Sequence, residues 1–270
     1  MTRRIRRLDR RWKHAVITGG SAGIGLAFAE TLAAAGSDLM LVARDGRRLD
    51  EVAVQLRETH GVRVDARPMD LSHAADLDSL ANDLADREDL DLLVNNVGGG
   101  VFGRFHERTW CSIDAELGTN LLATVRLSHA AVGPMTRRGF GSILNVAAGT
   151  AFYPTPFSAP YGAAKAFVVS LTEATNYELR GTGVTATAVC PGFTRTEGPV
   201  RHGFDVERVP GWWWSNPQDV ARIALRAAAR GRPVVSPGIS NVLAASIGRH
   251  MPRRIWVHSV ARTQLRLRKA

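Results

Sequence analysis

The sequence predicts one doubly wound α/β domain, a parallel sheet between two layers of helices, and three observations predict it. Short β-rich runs alternate with helix-length stretches from His14 to about residue 237. The first run passes directly into a glycine-rich turn that opens a helix. No linker, repeat or low-complexity tract interrupts the alternation. Strands separated by helices need crossover connections, and right-handed crossovers cover both faces of a parallel sheet, giving three layers, α/β/α.

The elements follow in order. "HAVITG" from His14 is the first strand, and "IGLAFAETLAAAG" has apolar residues at helical spacing and stops on Gly36. "DLMLVA" is the second strand and 45–59 the second helix, with Asp45 as its N-cap. "VRVDARP" and 73–87 make the third pair. "LDLLVNN", "GSILNVA" and "GVTATAVC" are three further strands, with long helices over about 109–138 and 159–180 between them. Three regions result: a basic arm over 1–13, the folded domain over 14–237 with an irregular stretch at about 194–216, and a basic amphipathic extension over 238–270.

Composition narrows the class. The chain has 270 residues, 45% of them hydrophobic and 22% charged, which suits a soluble globular domain with a sizeable core. The net charge of +10 sits at the ends: residues 1–13 carry +6 and 249–270 carry +7, leaving −3 between them. Such ends are read as solvated tails, with anionic lipid or nucleic acid as the alternative; no nucleic-acid partner is expected. Cys111 and Cys190 stand in no ligand spacing, so neither a disulfide framework nor a metal site is expected, and a reducing cytoplasm fits best. The basic start is followed by no apolar core of a signal peptide, and no run is long enough to span a bilayer.

"TGGSAGIG", Thr18 to Gly25, directly follows the first strand. Its glycines at 19, 23 and 25 permit a tight turn, close approach of main chain to phosphate and close helix packing, and the helix start offers free N–H groups to an anion. With this G-x-x-x-G-x-G spacing, "NNVG" at 95–98, Asn120 in "GTNLLATV", "YGAAK" ending at Lys165 and "PGFTRT" at 191–196, the chain resembles the short-chain dehydrogenase/reductase family from about His14 to Pro237. The resemblance implies a Rossmann-like fold, an NAD(P)-dependent oxidoreductase and a homodimer or homotetramer built through the long helices bearing Asn120 and Tyr161. It also implies that Gly19, Ser21, Ala22, Gly23, Ile24 and Gly25, then Asp70, Asn96, Val97 and Gly98, then Pro191, Gly192, Thr194 and Thr196, meet the cofactor together with Tyr161 and Lys165.

Charge argues for the phosphorylated cofactor. An acid at the end of the second strand would bind a ribose 2′-hydroxyl, whereas "VARDGRR" puts Arg44 there with Arg47 and Arg48 close by. Arginine suits a 2′-phosphate, so NADP(H) is favoured over NAD(H).

A free tyrosine hydroxyl, with a pKa near 10, is a poor base at neutral pH. Lys165 stands one helical turn after Tyr161, and its cation is expected to lower the phenol's pKa, making Tyr161 the proton carrier. By resemblance Asn120 holds a water that relays protons to the lysine. The departure is Ala148, thirteen residues before Tyr161, where the family has a serine that hydrogen-bonds the substrate carbonyl. Ala147 offers no hydroxyl either, and Thr150 is the first candidate to replace it, ahead of Tyr153 and Ser158. Three functions remain open: a carbonyl/alcohol oxidoreductase with an atypical site, a reductase of an activated C=C or C=N bond, and a non-catalytic nucleotide-binding protein.

In the family fold the stretch at about 194–216 is a lid over the substrate; its Trp212, Trp213 and Trp214 cannot all be buried by one face of an element, and some are expected to line the pocket, cover the substrate or join an interface, with Phe102 and Phe105 opposite and a bulky hydrophobic or aromatic small molecule as substrate. His106 and His202 are read as solvated loop residues. The extension, with Trp256 and Val257 as anchors, is expected to lie on a membrane surface or on a neighbouring subunit.

Overall fold

The computed structural model describes residues 12–238 and 252–268. The basic arm as far as residue 11 and the stretch 239–251 lie outside the described residues. Seven parallel strands form one sheet in the order β3-β2-β1-β4-β5-β6-β7. They are β1 (His14–Thr18), β2 (Asp38–Ala43), β3 (Val64–Pro68), β4 (Leu92–Asn95), β5 (Gly141–Val146), β6 (Val184–Val189) and β7 (Val234–Val235). Strand order reverses between β1 and β4, which opens a crevice at their carboxyl ends.

Side chains along each strand alternate between the two faces, and both faces are apolar, as a sheet covered on both sides requires. Ile17, Leu41, Val94 and Leu144 pack under α1 (Gly23–Ala34), α2 (Gly46–His60) and α8 (Pro217–Ala229), with Phe28, Leu49 and Val220 filling the layer. Val16, Met40, Leu93 and Ile143 face the other way, against Leu80 and Leu84 of α3 (Ala74–Ala85) and Leu127 and Met135 of α5 (Ala123–Arg138). Trp12, the first described residue, is buried in the first of these layers, and its Nε1 donates to Ser142 Oγ at 3.2 Å.

Two departures from expectation bear on function. The single helix expected over 109–138 is α4 (Trp110–Leu117) and α5 joined by a π-helical turn, Gly118–Leu122, which carries Asn120. Such turns place a side chain where a regular helix would not. The extension over 252–268, expected on a membrane or another subunit, folds onto its own domain. Its helix α9 (Arg253–Arg266) sets Trp256 edge-on against Tyr153, with ring centroids 5.5 Å apart. Gln264 and Leu267 are buried against the chain, and Trp256 is half-buried with its Nε1 shut off from solvent. Among the described residues no helix is long and apolar enough to cross a membrane.

Candidate active site

The glycine turn sits at the end of β1, in the crevice. Gly19 has φ +66°, open to glycine at little cost, and a Cβ on Gly25 would collide with the Gly19 carbonyl, so α1 can approach the turn this closely only without a side chain. Asn96 Nδ2 donates to the carbonyls of Thr18 and Gly19 at 3.1 and 3.2 Å, and Thr18 Oγ1 accepts from the N–H groups of Asn96 and Val97 at 2.9 and 3.0 Å. These bonds tie the glycine turn to the end of β4. The N-cap of α1 is Ala22, with no side-chain cap and no acid in the first turn, so the leading N–H groups point at the crevice without an internal acceptor. Buried Ser21 and half-buried Ile24 complete the turn.

Arg44 ends β2 with its side chain 72% exposed, 3.9 Å from Asp70 across the rim. The other two arginines are occupied: Arg47 pairs with Glu51, and Arg48 with Glu197 of the lid at 2.7 Å. Burial works to raise the Asp70 pKa, and the Ser72 hydroxyl and N–H, donating at 2.7 and 3.0 Å, overcome it and hold the carboxyl below its usual range. The loop after β6 closes the other side: Gly149 N–H donates to the Pro191 carbonyl at 2.8 Å, Thr194 Oγ1 to the Gly192 carbonyl at 3.1 Å, and the Thr196 methyl faces Gly23.

The residues expected to handle protons, Asn120, Tyr161 and Lys165, meet at the turn after β4. Asn120 Nδ2 donates to the carbonyls of Gly99 and Glu116 at 2.7 and 2.8 Å, and its buried Oδ1 has no partner among the described residues. That oxygen and Lys165 Nζ both lie against Gly98, where φ is +144° and a Cβ would strike the asparagine. Lys165, on α6 (Ala159–Glu178), is buried and donates to the Val146 carbonyl at 2.9 Å. Its ammonium is 5.6 Å from the centroid of the Tyr161 ring, which packs against Gly100.

Charge at this pair differs from the expectation that the lysine lowers the phenol. Burial, then Glu116 and Tyr153, pushes Tyr161 up to about 12, and burial pushes Lys165 down to about 8. The physical reason is that burial strips water from both charged forms.

Behind the site, Asn95 Nδ2 donates to Asn145 Oδ1 at 2.9 Å and to Ser128 Oγ at 3.0 Å, and Asn145 Nδ2 donates to Thr172 Oγ1 at 2.9 Å. This buried chain fastens β4 and β5 to α5, which continues from the turn carrying Asn120, and to α6, which carries Tyr161. In front, Arg108 and Glu116 form a buried ion pair at 2.5 Å, and Glu116 also accepts from Val101 N–H at 3.3 Å, pinning the 99–108 loop.

Ala148 is buried and extended (φ −160°), just before a short 3-10 turn, Gly149–Phe152. Thr150 in that turn has a buried hydroxyl with no hydrogen-bond partner among the described residues. Tyr153 is committed to Trp256, and Ser158 opens α6 without capping it. Trp213 and Trp214 lie on Phe193, with centroids 6.0 and 5.6 Å away, and Phe193 also meets Phe204 at 5.2 Å. Trp212 points outward, 71% exposed. Phe102 stacks on Phe157, which holds the left-handed φ of +64°.

His202 was read from the sequence as a solvated loop residue and proves to belong to the site. Its Nε2 accepts from Gly100 N–H at 2.9 Å and its ring lies 6.2 Å from that of Tyr161. Burial, then Arg268, Arg201 and Lys165, lowers its pKa, so the ring is neutral and its proton sits on Nδ1. No local pattern signals this, because the contact spans 102 residues. His106 stays on the surface beside Glu107.

A glycine turn at the reversal of strand order, with free helix N–H groups beneath it, defines a dinucleotide-binding α/β protein. The family model described as short chain dehydrogenase matches residues 13–202, and the chain belongs to that family of oxidoreductases. It is 34% identical to the solved short-chain dehydrogenase from Sphingobium yanoikuyae in complex with NADPH, with a TM-score of 0.80 over 93% of this chain and 94% of that one. A bulky-bulky ketone specific alcohol dehydrogenase from Comamonas testosteroni matches at 31% identity and a TM-score of 0.77, over 94% of each chain. D-beta-hydroxybutyrate dehydrogenase of Rhizobium meliloti is 32% identical over 191 residues, 68% of this chain and 72% of its own.

Proposed function

We propose that the chain transfers a hydride between NADP(H) and a bulky hydrophobic carbonyl or alcohol, with Tyr161 exchanging the proton on the substrate oxygen. The observation that carries this is the convergence of the Asn120 oxygen, the Lys165 ammonium and the Tyr161 ring on the turn Gly98–Gly100, beside a glycine cradle that admits a pyrophosphate. When bound, the nicotinamide supplies or receives the hydride. Lys165 lies where it can hold a ribose hydroxyl and donate toward Tyr161, and the unpartnered Asn120 oxygen is placed to accept from a water beside the lysine. Arg44, 72% exposed and 3.9 Å from Asp70 where Arg48 is held by Glu197 at 2.7 Å, is the guanidinium for a 2′-phosphate.

Ala148 leaves the carbonyl oxygen without the family's serine, and the unpartnered Thr150 hydroxyl is the nearest substitute in sequence. The same alanine favours a second reading, reduction of an activated C=C or C=N bond, where that donor matters less. Phe102 and the Phe193–Trp213–Trp214 cluster support a bulky apolar substrate. Leu122, Phe167 and Tyr177, exposed on and beside the helices bearing Asn120 and Tyr161, support a homodimer or homotetramer. Two free cysteines support a cytoplasmic setting.

A panel of bulky ketones, enones and imines with NADPH, run on the natural protein and Ala148→Ser, tests this function. Ketone reduction should rise on the order of tenfold or more in the serine variant, the size expected when one donor to a developing oxyanion is restored. Turnover confined to enones or imines and indifferent to Ala148→Ser would select the second reading. No turnover by either protein, with NADPH still bound, would select the non-catalytic one.

A further inference from the structure

The mouth of this crevice is closed by the end of the chain. After α9 the main chain pairs antiparallel with the lid, Phe204 opposite Arg268, and Asp205 N–H donates to the Leu267 carbonyl at 2.8 Å. Arg208 Nη1 donates to the carbonyls of Arg266 and Arg268 at 3.3 Å each. Arg268 is thus held by its backbone, and its side chain is free to serve a ligand.

That side chain has an unusual setting. The guanidinium lies over the Phe102 ring and 4.8 Å from the centroid of Phe204, whose own neighbour is Phe193 of the lid cluster. Its Nε is buried and has no hydrogen-bond partner, and among the described residues no carboxylate comes within ion-pair distance. Its neighbours on the lid differ: Arg201 pairs with Glu197, and Arg208 with Asp205. The nearest buried acid to the proton-handling residues, Glu116, is already held by Arg108. Burial brings the Arg268 pKa down to about 10, so the group is still a cation at neutral pH. Next to it is His202, whose Nδ1–H is a further donor, and beyond His202 is the Tyr161 ring.

Only the Nε of this half-buried side chain is shut off from solvent, and a guanidinium set against aromatic rings with no ion-pair partner among the described residues is placed to take an anion. Aromatic faces steer the planar fork without supplying an acceptor. Resting on the oxidoreductase reading above, we propose that Arg268 receives an oxyanion at the far end of the substrate, a carboxylate by preference. The substrate is then a bulky oxo- or hydroxy-acid whose apolar body lies along Phe102 and Phe204 while its reacting carbon faces Tyr161.

Calorimetric titration of the full-length protein, with and without NADPH, tests this through three ligands of one shape: 4-phenylbutyrate, 4-phenylbutanamide and 4-phenylbutyl phosphate. The natural protein should bind the carboxylate at least about tenfold more tightly than the amide, as a charge-assisted hydrogen bond confers. Arg268→Met, which keeps the apolar stem, should erase that preference, and Arg268→Lys should retain part of it. A phosphate ester bound more tightly still, and only with Arg268, would support the anion site and name phosphate as its source. Equal binding of acid and amide by the natural protein would overturn the proposal, as would a preference that survives in Arg268→Met. If the methionine variant melts early, the acid-to-amide comparison in the natural protein decides alone. Binding that depends on Arg268 beside a protein that reduces nothing would sink only the oxidoreductase reading, whereas reduction of neutral ketones without an Arg268-dependent anion preference would sink only this inference.

Discussion

At the scale of single residues, function here is a matter of which polar groups are left unpaired. Arg44 was legible because charge just after the second strand bears directly on the cofactor expected there, and its guanidinium stands 72% exposed, 3.9 Å from Asp70. Arg44→Ala should raise the KM for NADPH tenfold or more and change that for NADH little, as steady-state kinetics with both cofactors would read. The charge state of Lys165 was not legible, because spacing on a helix says nothing about water. Burial pushes this lysine from 10.5 down to about 8. Between those values the unfolded chain binds a proton that the folded chain has released, so stability climbs as pH rises from about 8 to 10.5. Below that window both states are protonated and the burial penalty is felt in full. Tyr161 works in the opposite sense only from 10 to about 12. Lys165→Met should therefore be more stable than the natural protein at pH 7, by on the order of 1–3 kcal/mol, and should lack the climb above pH 8 in urea melts.

Among the elements, the sheet and its helices were the most legible part, since alternating apolar runs and glycine stops record burial directly. Gly25 is the clearest case of an element fixed by one residue. A methyl there meets the Gly19 carbonyl, which cannot yield without moving the turn. Gly25→Ala should weaken NADPH binding tenfold or more and lower the Tm by several degrees, given about 1–3 kcal/mol for an overpacked contact. Gly211→Ala, where a methyl meets nothing within 4 Å, is the matched control and should leave both unchanged. The π-helical turn at Asn120 escaped the sequence because 3.6-residue periodicity is blind to one added residue. What marks it is functional need: the turn carries Asn120, whose side chain reaches Gly99 and leaves its oxygen beside Lys165.

For the whole molecule, the site is assembled from segments far apart in sequence, and the order of its motifs was readable while its closure was not. Glycine turn, Asn120, Tyr161 and Lys165 each announce themselves within a few residues. His202 and Arg268 do not, because their contacts arise only when the 194–216 stretch and residues 252–268 fold against the rest of the chain. Trp256 was misread as an anchor for an outside surface for the same reason: an amphipathic helix declares that it needs an apolar partner without saying which. The central claim is that Tyr161 carries the proton while the crevice holds the dinucleotide. Single-turnover NADPH oxidation with a bulky ketone, compared between the natural protein and Tyr161→Phe, tests it most directly. The account predicts a rate at least about a hundredfold lower in the phenylalanine variant, with NADPH affinity within about twofold; an undiminished rate in Tyr161→Phe would contradict it.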